Sequence, residues 1–548
     1  MNKKHLLSMS AAALLVGHPA IAAQAATQEP GAADAPAEII VTAQKRAQNL
    51  QDVSLSISAL SAQKLTDNQI SDVTDLAASV PNVTVGNGYG LAQITIRGIG
   101  VTNPFTGADP SVALHVDGAV VAQSAAQIAA FFDLERIEVL RGPQGTLYGR
   151  NATGGVVNLI TAKPTRDLTG YIRATYGNFD LITVEAAVGG PIAGDKVLGR
   201  IAVRTEDRSG YGINEFSGRE IDDAKHRAIR GHVQFLPTED VSLLLTGDWY
   251  REDDSAFGPK FRAESYPGTT IPQLVAASTP ATRASNTNRN IKSEIDTQNA
   301  RETWAITATL DWQLNESMKL RSLTNYRSFF FDTIWDFDTA SNVSNSVQAQ
   351  YVTSKHYSEE LQLTYDSGPV NALLAAYYYN EKITGDNRVG TRPHRRTAPG
   401  LQGLFLSFQG KVDVESYALF GNVSYDLTDQ LVLNAGGRYT HEKRTGVIFT
   451  TIVPVSPNPT RFATGGSFND FSPKVTLEWR PVDDVMLYGT WSKGFKSGII
   501  LVGAASPILE PEKVTNYEIG LKSTFLDRAL TFNLSAFYAD YRNLQVSK

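Results

Sequence analysis

The chain has 548 residues, 42% hydrophobic, 19% charged and 9% aromatic, with a formal net charge of −6 and no cysteine. The mild acidity offers no basic stripe for nucleic acid, and the missing cysteines exclude a disulfide framework and thiolate metal sites. The fold is therefore held by burial and hydrogen bonding alone, over a length that permits several ordinary domains or one very large one.

At the N-terminus Lys3 and Lys4 precede an apolar, alanine-rich run at 6–16, and small residues follow at Ala23-Gln24-Ala25. That order reads as a secretory signal peptide at 1–25, cleaved after Ala25. The run is too short to span a bilayer, and no later run reaches about 18 apolar residues, so no membrane helix is expected. Next come Glu38, Ile39, Ile40, Val41, Thr42 and Ala43, an isolated β-prone hexamer in Ala-, Pro- and Gln-rich surroundings. It reads either as the first strand of the following domain or as a flexible segment that adds itself to a partner's sheet edge.

Residues 48–162 have a different texture. A strand is expected at 53–58, a short helix at 72–79 ending before Pro81, a strand running into a turn at 94–98, and a hairpin at 112–120 around Asp117-Gly118. The pattern predicts a small α+β domain large enough for its own core. Its densest stretch is ERIEVLRGPQGTLYGRNATGGVVNLIT at 135–161, where glycines 142, 145, 149, 154 and 155 are expected to supply positive-φ corners. No Lys-Ser/Thr pair follows them, which excludes a phosphate-cradling loop. The Asn151-Ala152-Thr153 sequon is a three-residue match and carries little weight.

From about residue 170 the chain alternates with period two. Trp304, Ile306, Ala308, Leu310 and Trp312 share one face, with Thr303, Thr307, Thr309 and Asp311 on the other. Leu530, Phe532, Leu534, Ala536 and Tyr538 oppose Thr531, Asn533 and Ser535, and Tyr417, Leu419, Val423 and Tyr425 oppose Asn422, Ser424 and Asp426. Such alternation means a sheet with one apolar and one polar face. Trp304 and Trp312 bracket roughly 26 Å of strand, about 20 Å of bilayer once tilted by ~40°, as aromatic girdles bracket a lipid-facing band. Short connections near 190–196, 236–241, 313–317, 366–370, 426–430, 480–484 and 525–529 alternate with long ones near 208–224, 253–300, 332–350, 383–411, 444–469 and 496–513; Gly177–Asp180 is a brief exception. That asymmetry is expected of a transmembrane antiparallel β-barrel with tight periplasmic turns and long outer loops. About fifteen strands are visible in residues 163–548.

TIRGIG at 95–100, VALHVDGAVV at 112–121 and ERIEVLRGPQGTLYG at 135–149, in that order upstream of the strands, resemble the plug domain of TonB-dependent outer-membrane receptors. The resemblance covers nearly the whole chain after residue 25; Arg150-Asn151-Ala152-Thr153 departs from it, since many members carry smaller residues there. It implies a mainly β fold with a signal peptide at 1–25, a periplasmic segment at 26–47, a plug at 48–162 and a barrel from 163 onward. Family barrels carry 22 strands, so the resemblance implies that roughly seven are missing here, and that a chain ending at Lys548 could not close, insert or transport. The hexamer Glu38–Ala43 resembles a TonB box, pulled by TonB with ExbB–ExbD of the inner membrane; the dozen residues after Ala25 leave no room for a periplasmic signalling domain.

By the same resemblance Arg97 and Arg141 occupy positions where the family places wall-facing arginines. Glu518 shares a face with Asn516 and Lys522, opposite Tyr517, Ile519 and Leu521. Glu518 and Glu512 are the expected partners of those arginines; alternatively Glu518 merely solvates the lumen wall. The expected ligand is a ferric siderophore, with vitamins, glycans, haem and aromatic compounds as further family cargoes. Arg392, Arg395 and Arg396 of the RPHRR cluster could attract an anionic ligand or be a solvated loop. The eight histidines show no metal-ligand spacing, and no metal or cofactor is expected. Nor is an enzyme, since a secreted hydrolase should show a motif such as G-x-S-x-G. A passive porin would share the barrel but have no use for a plug. The expected setting is the outer membrane of a Gram-negative bacterium, with lipopolysaccharide around a monomeric receptor.

Overall fold

The structure, a computed structural model, describes residues 39–545 except 89, 101–104, 129–130, 256–288, 294, 337–345, 392–404, 454–455, 504–507 and 527. Residues 1–25, expected as a signal peptide, and Glu38 and the arginines at 392, 395 and 396 lie outside the described residues.

Two-sided strands build a fifteen-stranded antiparallel sheet, running in sequence order from Thr169–Gly177 to Leu530–Arg542. Its first and last strands each pair on one side only among the described residues. Side chains obey the expected alternation: Ile306 is 56% exposed, while its neighbours Ala305 and Thr307 are buried. Along the ladder, outward aromatics stand opposite one another: Trp249 and Trp304, Tyr326 and Tyr357, Tyr378 and Tyr417, Tyr439 and Phe471, Trp491 and Tyr517, Tyr517 and Tyr538. Eight residues from members of that ring lie Trp312, Tyr365, Tyr425, Trp479, Phe525 and Leu530, all exposed. Two rings at a constant spacing, with only one face apolar between them, are the girdles of a membrane band.

The strands run past that band. Ser456–Val482 continues for fifteen residues beyond Phe471, and its ladder with Leu431–Val453 reaches a bridge between Ile452 and Ser456. The long connection expected at 444–469 is therefore mostly sheet, because Thr, Val, Ile and Phe there extend the hairpin. Residues 499–502 of the connection expected at 496–513 also differ from an outer loop: Ile499, Ile500 and Val502 are at most 1% exposed.

Inside stands the smaller domain. Its five-stranded sheet has the order Ile57–Ser61, Leu134–Arg141, Gly155–Thr161, Val112–Val116, Ala119–Val121, with a three-stranded sheet at Val83–Gly88, Leu91–Ile96 and Ile99–Gly100. The Asp117-Gly118 hairpin forms as expected, with φ +51° and +88° at its two loop residues, the values a twisted two-residue turn needs. The strand expected at 53–58 begins at Ile57 instead, and the helix expected at 72–79 is confined to Leu76–Ser79. Asp72 and Asp75 carboxylates take the backbone N–H groups of Thr74 and Ser71, a local bonding pattern that competes with helix. Among the five expected corner glycines, 142, 149 and 155 have positive φ; 145 and 154 do not. A Cβ at Gly145 would lie 3.0 Å from the Gly494 Cα, so there the need is close approach to the wall.

Candidate functional site

Residues 39–43 of the hexamer are docked on the inner domain. Ile40–Val41 pairs with Gln48–Asn49, and Val41 and Ala43 are buried among Val53, Leu55, Ile57 and Leu140. Glu138, wholly buried, pins the segment: its Oε1 accepts from the Thr42 N–H at 2.8 Å and the Thr42 hydroxyl at 3.1 Å. Arg136 Nε, 2.9 Å away, offsets the Glu138 charge. Two residues beyond the hexamer, Lys45 reaches the wall at Glu360, 2.8 Å. Beside it lies a cavity of about 580 Å³ between domain and wall, lined by Thr42, Lys45, Arg136, Asp311, Arg321 and Thr364 among others.

Polar pairs carry much of the contact with the wall. Arg97, at φ +55° in the turn after Leu91–Ile96, donates to Glu518 Oε2 at 2.7 Å. Tyr488 donates to the other Glu518 oxygen at 2.9 Å, and the guanidinium lies 3.9 Å from the Phe537 ring centre. Gly142 is required beside it, since a Cβ there would come within 2.8 Å of Arg97 Nη1. Asp133 pairs with Arg200, Asp52 with Arg480 at 2.9 Å, and Gln123 with Glu381 at 2.7 Å.

Of the expected site residues, the structure brings Arg97 and Glu518 together. Arg141 donates instead to the Pro81 carbonyl at 3.3 Å, and Glu512 accepts from the Thr153 hydroxyl at 2.8 Å. The sequence reading missed a buried network of four charges. Arg150 lies 3.2 Å from both Asp109 and Glu442, and Arg444 bonds the same two carboxylates. Burial alone would raise the Asp109 carboxyl, but Arg444 and Arg150 overcome it and hold it below the usual range. Arg150 was visible only as a departure from family pattern; its partner Asp109 lies 41 residues away and Glu442 is on a barrel strand far along the chain. Strand register likewise gathers His226, Glu252 and Asp254, whose ligand-type atoms fall within 4.8 Å of one another. Both Glu252 oxygens already accept from protein donors, Tyr250 and Arg301 on one and Asn299 on the other, which makes this an ion-pair cluster.

Residues 49–156 match the family described as TonB-dependent Receptor Plug Domain, and residues 234–548 match TonB dependent receptor-like, beta-barrel. The pesticin receptor of Yersinia pestis is 24% identical over 526 residues, covering 93% of this chain and 71% of that protein. Two solved structures share the fold: the ferric yersiniabactin uptake receptor FyuA from Yersinia pestis, with TM-score 0.76 and 19% identity over 90% of this chain and 73% of its own, and the ferric-catecholate import receptor Fiu from E. coli, with TM-score 0.67 and 18% identity over 90% and 76%.

Proposed function

The chain belongs to the TonB-dependent receptor family, and on that premise we propose that it binds a ferric siderophore at the cell surface and imports it into the periplasm. Relatives named as ferric yersiniabactin and ferric-catecholate receptors support that cargo class. The observation that carries the energised reading is the docked hexamer: a β-prone segment sits at the end of a domain that fills the lumen, latched by Glu138 and Lys45. As TonB box, residues 38–43 are offered to TonB, energised through ExbB–ExbD, once that latch opens. Arg97 and Glu518 hold the plug to the wall, with Arg141 and Glu512 bonding beside them. We assign residues 1–25 to a cleaved signal peptide, 26–47 to the periplasmic segment, 48–162 to the plug and 163–548 to barrel, in a monomer with no enzymatic role, surrounded by lipopolysaccharide. Arg392, Arg395 and Arg396 are kept as candidate contacts for an anionic ligand.

The decisive test is deletion of residues 38–43. Ligand binding should persist while uptake is lost. A passive pore would keep its uptake, and that result would overturn the reading.

A further inference from the structure

We propose that the outer edge of the strand Ser456–Val482 is a docking site for an extended acidic peptide, which reaches it from outside the cell and adds itself to the sheet as a further strand. The proposal goes beyond the importer reading and takes from it only which end of the barrel faces outward.

On one side this strand pairs with Leu431–Val453 from Trp479 up to Ser456. On the other, its ladder with Val485–Lys496 covers only Lys474 to Val482. The cause lies in the sequence, since the next residue outward is Pro473, which has no N–H to give. Beyond it, residues 461–471 have no register partner on that side among the described residues. Arg480 sends its N–H to the Gln430 carbonyl on the paired side, so by the two-residue period odd-numbered residues present theirs to the open side. Arg461, Ala463, Gly465, Ser467, Asn469 and Phe471 each offer an N–H and a C=O there. No residue from 458 to 471 is buried.

At ~3.3 Å per residue and ~40° tilt, residues 461–469 stand about 5 to 25 Å above the ring residue Phe471, clear of lipid. An unpaired edge of this kind is a template for another strand. A second copy in the same membrane is badly placed to supply it. A two-fold axis along the membrane normal would cross two strands tilted by ~40° at about 80°, against the ~20–25° between paired strands. An extended peptide carries no such constraint.

Charge decides the character of that peptide. Arg461 stands at the upper end of the edge, and at the lower end Lys493 follows the last rung, Ser492 opposite Lys474. Both are exposed, and neither pairs with a carboxylate among the described residues. Lys513 reaches Asp470, the one carboxylate of this stretch, at 3.7 Å. Three cations against one carboxylate favour acidic residues at both ends of an incoming strand. On the inner face Phe462, Phe468 and Ile508 are half-buried and offer apolar neighbours to its alternate side chains.

The test uses the full chain in mild detergent and a fluorescein-labelled peptide of alternating threonine and valine with glutamates at both ends, read by anisotropy. Wild type should bind it. Ala463→Pro and Ser467→Pro each remove one edge N–H without touching the ladder to Leu431–Val453, and each should weaken binding about five-fold, the worth of one hydrogen bond. Lys493→Gln should weaken it about three-fold, as one exposed ion pair does. On the unaltered chain, the same peptide N-methylated along its edge-facing side should not bind, nor should one with lysines in place of the glutamates. Equal binding of either control peptide, full binding by the proline variants, or no binding by wild type would overturn the site. So would a concentration-dependent dimer that Ser467→Pro abolishes, which would give the edge to a second copy. Binding should persist when residues 38–43 are deleted, so the importer reading and the peptide edge fail by different results.

Discussion

Replacing Glu518 with Gln tests the attachment of plug to wall most directly. Arg97 and Glu518 side chains are each 6% exposed and 2.7 Å apart, so the variant leaves a guanidinium buried with no anion to offset it. Removing one partner of such a pair costs about 3 to 5 kcal/mol. The Tyr488 hydroxyl still finds an oxygen on the amide, and the Phe537 ring still faces the guanidinium, which places the expected cost at the lower end, about 3 kcal/mol. If plug release limits exchange, that corresponds to roughly a hundred-fold faster hydrogen exchange in Leu91–Ile96, with little change in barrel amides. The Arg97→Met variant should have a similar effect, and the double variant should cost less than the sum of the two. Unchanged exchange in Glu518→Gln, or strictly additive effects, would mean that Glu518 only solvates the wall.

Thr42→Val removes the hydroxyl bond to Glu138 and should loosen the box by about 1 kcal/mol, seen as about five-fold faster exchange at Val41 and Ala43; an unchanged rate would dismiss the latch. Leu361, 46% exposed midway between Tyr357 and Tyr365 of the two rings, should cost about 2 to 4 kcal/mol of bilayer insertion when changed to Arg, measured by folding into vesicles. His115 of the plug is pushed down to about 4 by burial and by nearby Lys45. Above the unfolded value of about 6.5 both states are neutral; below it only the unfolded chain takes up the proton, so plug stability should fall by about 3 kcal/mol between pH 6.5 and 4. His115→Gln should abolish that part of the acid loss in a melting series, with its Gly118 carbonyl contact open to the amide.

Much of this molecule was legible because two periodicities are local. Trp304 through Trp312 names its lipid face from nine consecutive letters, and Asp117-Gly118 names its turn from two. What escaped depends on distance along the chain or on competing local bonds. Nothing near Arg150 announces Asp109 or Glu442, because a plug loop delivers the one and a barrel strand, Leu431–Val453, the other. The shortened helix at Leu76–Ser79 was hidden by Asp72 and Asp75, whose side chains bond the backbone that a helix would have used. The hexamer was read either as a first plug strand or as a flexible segment, and the structure packs residues 39–43 on the plug. Its alternate residues Val41 and Ala43 suit an apolar bed, and the edge that receives them forms only when the plug folds.

The placement of the latches decides how a pull on the box enters the plug. The apolar bed of the box contains plug residues only, so no barrel side chain anchors the pulled end by burial. Ties to the wall then follow in chain order: Lys45 to Glu360, the Leu50 carbonyl to Lys522, Asp52 to Arg480, Ser54 to Glu478, Ser56 to Ser535. Next comes the edge strand Ile57–Ser61, with five register pairs to its neighbour. Ties loaded one after another yield singly, each at a small cost, whereas the Arg150 network, which ties a later part of the plug to Glu442 of the wall, bears no load until they are gone. The first passage to open should therefore lie beside the strands from Ser456–Val482 to Leu530–Arg542. Ser56 and Ser535 allow a direct test, since their hydroxyl oxygens are 3.2 Å apart and the chain has no cysteine of its own. A disulfide between Ser56→Cys and Ser535→Cys stops the sequence before the edge strand peels. The oxidised variant should bind a ferric siderophore yet fail to import it, with uptake restored by reductant; equal uptake in both states would show that the plug opens elsewhere.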